Sequence, residues 1–149
     1  MRRRNFMNSE QVNYYLSLDH EDQVRKAREN LKGVIKDTPL IYSDFFSNEH
    51  KCNIYIKPEN FQVTGSFKIR GAYNKIANLT DEECRKGIIC SSAGNHAQGV
   101  ALSAQRRGIK SVIVMPNVTP LLKIDATKEY GSEIIIHGDV YDESYNKAL

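Results

Sequence analysis

A chain of 149 residues, 40% hydrophobic and 26% charged, is long enough for one ordinary core and has none of the biases of disordered, collagen-like or disulfide-stapled sequences. A net charge of +3 from 21 basic and 18 acidic residues is too balanced to single out nucleic acid, and no apolar run reaches membrane-spanning length. Cys52, Cys84 and Cys90 are odd in number without CxxC spacing, and His20, His50, His96 and His137 are scattered, which argues against disulfides and a metal site and fits a reducing cytoplasm.

Residues 1 to about 17 carry few signals. The Arg2-Arg3-Arg4 run precedes a polar segment instead of an apolar one, so it is not a secretory leader, and Met7 is a second candidate start. A first helix is expected from Asp19, with Val24, Ala27, Leu31 and Val34 on one side and Gly33 near its end. Ile35 to Lys51, with Thr38-Pro39-Leu40 and polar turn residues, reads as an extended connection, and Asn53 to Lys57 as a short strand closed by Pro58.

The stretch from Lys57 to Ile76, KPENFQVTGSFKIRGAYNKI, needs the most explanation. Gly65 and Ser66 read as a loop ending in a helix N-cap, after which Ile69, Ala72, Tyr73 and Ile76 form the apolar stripe of an amphipathic helix. Lys68 and Arg70 then fall in the first turn, where the macrodipole favours carboxylates, with no evident compensation. Side chains lean toward a helix's N-terminus, so the Lys68 amine should project past the helix start toward Gly65, beside the open flank left by Gly71 and Ala72. A positive helix end and a second cation disfavour protonation, as a nucleophilic or Schiff-base lysine requires; a solvated first-turn lysine fits the same spacing. Glu59 and Asn60 either orient this loop or form a solvated turn.

Beyond Ala77 the pattern becomes regular. Thr80 with Glu83 makes a capping box for a short helix ended by Gly87, and Ile88 to Ser91 is a buried strand. Ser92-Ala93-Gly94-Asn95-His96 is a loop, followed by a small-residue helix from about Ala97 to Arg107 and a stop at Gly108. Ser111 to Met115 is the next strand; Thr119 caps and Pro120 opens a helix to about Tyr130; Glu133 to His137 is a further strand; Tyr141 to Leu149 begins a helix. Alternating strands and helices with short turns are the signature of an α/β fold with a doubly wound parallel sheet, here incomplete.

In such sheets ligands sit at the carboxyl ends of the strands, which is where Ser92 to His96 falls. Gly94 permits close backbone approach, successive N–H groups can hold a carboxylate, and Asn95 offers a side-chain amide to a ring oxygen; a plain, well-capped βα turn has the same spacing. No G-x-G-x-x-G, P-loop, HExxH or G-x-S-x-G pattern is present.

SFKIRGA at Ser66 to Ala72, SAGNHAQG at Ser92 to Gly99 and MPNVTPLLKIDATKEYG at Met115 to Gly131 resemble the fold-type II pyridoxal 5′-phosphate enzymes with the tryptophan synthase β-like fold, most closely the threonine dehydratases (threonine ammonia-lyases). The resemblance covers about Val24 to Leu149. It implies that Lys68 forms a Schiff base with pyridoxal 5′-phosphate and moves protons at the substrate α-carbon, and that Phe67 packs near the cofactor. It further implies that Asn95 hydrogen-bonds the 3′-oxygen of the ring, and that Ser92, Ala93, Gly94, Asn95 and His96 grip the α-carboxylate of an amino-acid substrate.

The implied reaction converts L-threonine, and L-serine, to 2-oxobutanoate or pyruvate and ammonia; a serine racemase-like enzyme or a non-catalytic α/β fragment are the alternatives. Members continue with a fourth small-domain strand, a glycine-rich phosphate loop and a residue facing the pyridine nitrogen, none of which is in these residues. The expected organisation is therefore 1–77 as an N-terminal segment with the lysine helix, normally packed with the large domain, and 78–149 as a truncated small domain. The isolated chain is expected to bind cofactor poorly and turn over little threonine. A cytoplasmic enzyme, a homo-oligomer when full length, with no nucleic-acid or membrane partner and no metal, completes the expectation; the resemblance does not choose between isoleucine biosynthesis and threonine catabolism.

Overall fold

The computed structural model of the protein describes Glu10, Asn13, Ser17 and residues 19–149. The Arg2-Arg3-Arg4 run and Met7 lie outside the described residues. The chain divides into two compact units, Met1–Asn30 and Leu31–Leu149.

In the first unit, α1 (His20–Asn30) begins where Asp19 Oδ1 accepts the N–H groups of Glu21 and Asp22, at 3.0 and 3.2 Å. Its exposed face carries the pairs Glu21–Arg25 and Asp22–Lys26 one turn apart, and Val24 is exposed. The helix stops before Leu31 and Val34, short of the expected stripe.

The second unit opens with two elements that the sequence pattern concealed. The expected connection from Ile35 to Lys51 contains β1 (Ile41–Tyr42) and α2 (Asp44–His50), the helix capped by Ser43, whose hydroxyl accepts from Phe46 N–H. Seven residues reading DFFSNEH are too few to show a helical period. The expected strand Asn53 to Lys57 shrinks to β2 (Tyr55–Ile56), paired antiparallel with β1, with the Tyr42 and Tyr55 rings edge-on at 5.4 Å. A single 3₁₀ turn, Glu59–Phe61, leads to α3 (Lys68–Ala77), whose Ile69, Ala72 and Ile76 are buried as the stripe predicts, with Tyr73 half-buried. The cap of α3 differs from expectation: Phe67 occupies the N-cap position, and the Ser66 hydroxyl accepts from Lys68 N–H at 3.4 Å.

After α4 (Asp81–Lys86), which carries both halves of the Thr80–Glu83 capping box, the three parallel strands β3 (Ile88–Ser91), β4 (Ser111–Met115) and β5 (Glu133–Ile136) form one sheet in the order β3-β4-β5. They are joined by α5 (Asn95–Arg107) and α6 (Leu121–Lys128) and followed by α7 (Tyr141–Ala148). Two expectations fail here. Thr119 does not cap α6; its hydroxyl is buried without a partner, and Pro120 holds the cap position. Asn95 and His96 belong to the first turn of α5 and not to the preceding loop.

Strands in sequence order with right-handed crossovers place α5 and α6 on one face, and the two helices do pack together. Ile113 and Met115 of β4 enter the core with Ala97, Val100 and Ala104 of α5, while Val114, pointing the other way, is equally buried. The second face is covered by α7, which packs on β3 and β4. A helix after β5 that returns to β3 reverses the winding, so the switch point of the sheet lies at the carboxyl end of β3. The strand itself is less buried than predicted, Ile89 being 53% exposed, because β3 is an edge of the sheet.

Candidate active site

At the switch point, β3 ends at Ser91 and the turn Ser92-Ala93-Gly94 delivers the chain into α5. Ser92 N–H still pairs with Val114 O at 3.1 Å, extending the ladder by one bond, and Gly94 N–H donates to Ser92 Oγ at 3.4 Å. The next helical bond is Ala97 N–H to Gly94 O at 3.0 Å. Among the described residues the N–H groups of Ala93, Asn95 and His96 have no partner, and the Asn95 side chain makes no hydrogen bond. The open donors are those a helix start leaves over, directed where the macrodipole is positive.

What brings Lys68 to this turn is Gly99. A Cβ at Gly99 would lie 3.2 Å from the Lys68 carbonyl carbon and 3.3 Å from both Ile69 N and Lys68 O, so glycine lets α5 approach the start of α3 this closely without either backbone giving way. The Ser103 hydroxyl folds back onto Gly99 O at 2.6 Å, and Ala97, Ala101 and Ala104 are fully buried, keeping the contact thin. Asn95 lies one turn before Gly99 on the same face of α5. His96 is near enough to Lys68 for the amine's charge to act on it: burial first, and the Lys68 charge second, push the imidazole below its ordinary pKa.

Lys68 is exposed and forms no ion pair among the described residues; its ammonium lies 5.1 Å from the centroid of the exposed Phe67 ring. Of the sequence-predicted residues, Lys68, Phe67 and His96 therefore form one neighbourhood, and Asn95 stands beside His96 in the first turn of α5. A cleft of about 360 Å³ also reaches His96, but it runs along the free edge of β3 between Gly71 and Lys75 of α3 and Tyr141 and Tyr145 of α7, and includes neither Lys68 nor Asn95.

No compensation for two cations in the first turn of α3 is evident along the chain; the structure supplies it for Arg70. Its guanidinium donates twice to Glu59, at 2.7 and 2.8 Å, and Glu59 also accepts from the Thr38 hydroxyl at 2.6 Å. The Arg70 hydrogen bond, helped by Thr38, holds the Glu59 carboxyl at about 2, against the opposing effect of burial. Gln62 clasps Lys36 through both its N–H and its carbonyl, at 3.1 and 2.7 Å, and Lys57 Nζ donates to Thr38 O. Glu59 is thus a brace between the 36–38 segment and the lysine helix; the one sequence signal was a carboxylate eleven residues before an unexplained arginine. Lys123 was also missed: its Nζ stands 3.6 Å from the position a Cβ on Gly94 would take, because the turns after β3 and β4 are neighbours in a parallel sheet.

Residues 31–149 match the model of the family described as pyridoxal-phosphate dependent enzyme. The chain belongs to this family. An L-threonine ammonia-lyase of Thermotoga maritima is 51% identical over 128 residues, covering 86% of this chain and 32% of the relative. Among solved structures, processed threonine deaminase isoform 2 from Solanum lycopersicum superposes with a TM-score of 0.75 at 41% identity over 89% of this chain and 40% of that one. Maize serine racemase gives 0.79 at 36% identity over 85% and 39%. The chain thus spans about a third of the length of the Thermotoga relative.

The residues present fit the family's cofactor. An unpaired primary amine, open backbone donors and an exposed aromatic ring lie where two helices meet, the asparagine that opens α5 has an unengaged amide, and among the described residues no acidic side chain pairs with Lys68. Among the described residues no cluster of His, Cys, Asp or Glu could hold a metal ion, and no helix is long and apolar enough to cross a membrane.

Proposed function

We propose that this chain carries the lysine-bearing part of a dehydratase that converts L-threonine, and L-serine, to 2-oxobutanoate or pyruvate and ammonia. The observation that carries the reading is the Gly99 contact, which sets Lys68 beside the open N–H groups that begin α5. Lys68 would hold pyridoxal 5′-phosphate covalently, Asn95 would bond the ring's 3′-oxygen, and Phe67 would pack near it. When bound, the cofactor supplies the electron sink for the pair left at the α-carbon. Lys68 takes the α-proton; Ala93, Asn95 and His96 N–H groups hold the α-carboxylate, with Ser92 and Gly94 shaping the turn. Loss of the β-hydroxyl and replacement of nitrogen by water complete the balance.

For the whole protein, residues 1–77 would pack with a large domain and 78–149 form most of the small one. The exposed apolar side chains of Leu40, Phe45, Tyr55 and Phe61 support this, since so many together suit a covered surface. The free edge of β3, flanked by its cleft, would take the fourth strand that the resemblance implies. A cytoplasmic homo-oligomer is the matching proposal for the assembled enzyme.

The test is a chimera in which residues 31–149 replace their counterpart in the Thermotoga maritima relative. Release of 2-oxobutanoate from L-threonine, abolished by Lys68→Ala, is expected; activity that survives Lys68→Ala refutes the reading. The superposition on maize serine racemase favours a second reading, serine racemisation, which the chimera would reveal by making D-serine faster than pyruvate.

A further inference from the structure

Lys123 occupies the first turns of α6 with its position fixed from below. Its N–H donates to Pro120 O at 2.9 Å, its carbonyl accepts the Thr127 hydroxyl at 2.7 Å, and the adjoining Ile124 is buried in the core. The ammonium ends 3.6 Å from the Cβ position of Gly94, is half-buried, and has no ion-pair partner among the described residues. The same β4–α6 connection buries the Thr119 hydroxyl without a partner. A cation without a counter-charge among the described residues, beside a turn with three open N–H donors, is a place for an anion.

Gly94 is consistent with that. At φ −146 its backbone is open to any residue, so conformation does not require glycine; a side chain would instead take up the space between the turn and the ammonium. Arginine or lysine elsewhere nearby does not substitute, since Arg70 is committed to Glu59 and Lys68 is reserved for the cofactor in the proposed reaction.

We propose that Lys123 is a specificity-determining residue: its ammonium pairs with the α-carboxylate seated on the turn 92–96, so that amino acids are selected over the corresponding amines. This rests on the reading of that turn as the carboxylate site. The Lys123 charge supplies the long-range attraction, and the N–H groups of Ala93, Asn95 and His96 supply the geometry.

The test is a nitrogen-isotope NMR titration of the chain with L-threonine, with the carboxyl-free amine 1-amino-2-propanol as control. Amide signals of Ala93, Gly94, Asn95 and His96 are expected to move with L-threonine and not with the amine. Lys123→Gln should weaken the titration about tenfold, as loss of one charge-assisted bond does, and Lys123→Arg should keep it within about threefold. A Lys123→Gln chain that titrates like wild type overturns the role of Lys123 and leaves the turn as the carboxylate site. Equal losses in the Gln and Arg variants, with α6 amides displaced, assign Lys123 to packing and overturn it as well. A wild-type turn that does not move at saturating L-threonine overturns the carboxylate site and Lys123 together.

Discussion

Replacing Gly99 by alanine is expected to destabilise the chain although alanine is the better helix former. The added methyl would meet three backbone atoms of Lys68 and Ile69 at 3.2 to 3.3 Å, and Ile69 is fully buried, so α3 cannot give way by rotating one side chain. Overpacking of this kind costs about 1–3 kcal/mol. The gain in helix propensity offsets about 0.8–1 kcal/mol, leaving a net loss of about 0–2 kcal/mol. Gly71 provides the control in the facing helix: nothing lies within 4 Å of its Cβ position, so Gly71→Ala should stabilise by about 0.5–1 kcal/mol. In urea, with a slope of about 2 kcal/mol per molar, the two midpoints should fall roughly 1 M apart, on opposite sides of wild type. A Gly99→Ala midpoint equal to or above that of Gly71→Ala would show that the α3–α5 contact is loose, and would remove the basis for setting Lys68 against the turn.

Other consequences follow from the same contacts. Glu59, held at about 2 against an ordinary 4.5, contributes stability that is full above pH 4.5 and is lost as pH falls toward 2. With the two side chains 16% and 33% exposed, that contribution is about 1–2 kcal/mol after screening, and Glu59→Gln should flatten the acid limb of a stability-versus-pH curve; an unchanged limb would dismiss the brace. Thr80→Ala removes the hydroxyl that accepts from Glu83 N–H, while Thr80 N–H still donates to the Glu83 carboxylate, and should lower stability by about 1 kcal/mol in thermal or urea unfolding. Burial pushes the Cys90 thiol up to about 11, whereas Cys52 is exposed, so iodoacetamide at pH 8 should label Cys52 well before Cys90, read by peptide mass; equal labelling would mean that β3 opens readily.

The three-stranded sheet and its helices were legible because each carries a signal within its own residues: continuous apolar runs in Ser111 to Met115, a capping box at Thr80, glycine stops at Gly87 and Gly108. The Lys68 helix was legible for the same reason. Apart from the strand that became β2, residues 35–62 were not, since β1 and α2 are too short for periodicity and are held through contacts distant in sequence, such as Ser47 Oγ accepting from Ile54 N–H and the Gln62–Lys36 clasp. Within the site, the turn and the lysine were visible as motifs. Their juxtaposition was implied by the family resemblance and not by any local pattern, because it depends on the absence of a methyl at Gly99, and a missing atom leaves no pattern along the chain. Lys123 was hidden likewise by sheet adjacency, and although Glu59 was picked out as a residue that could orient the loop, its partner Arg70 was not, because their ion pair spans a loop.

The most direct measurement of the central claim, that Lys68 is the residue that takes the cofactor, is chemical. The chain is incubated with millimolar pyridoxal 5′-phosphate, reduced with borohydride, digested and mapped by mass. Even with weak binding, trapping should concentrate the tag on the peptide containing Lys68, ahead of Lys75, Lys123 and the surface lysines, and Lys68→Ala should reduce the label to their background. A tag spread evenly over the lysines, or one that leaves Lys68 unmodified, would contradict the account.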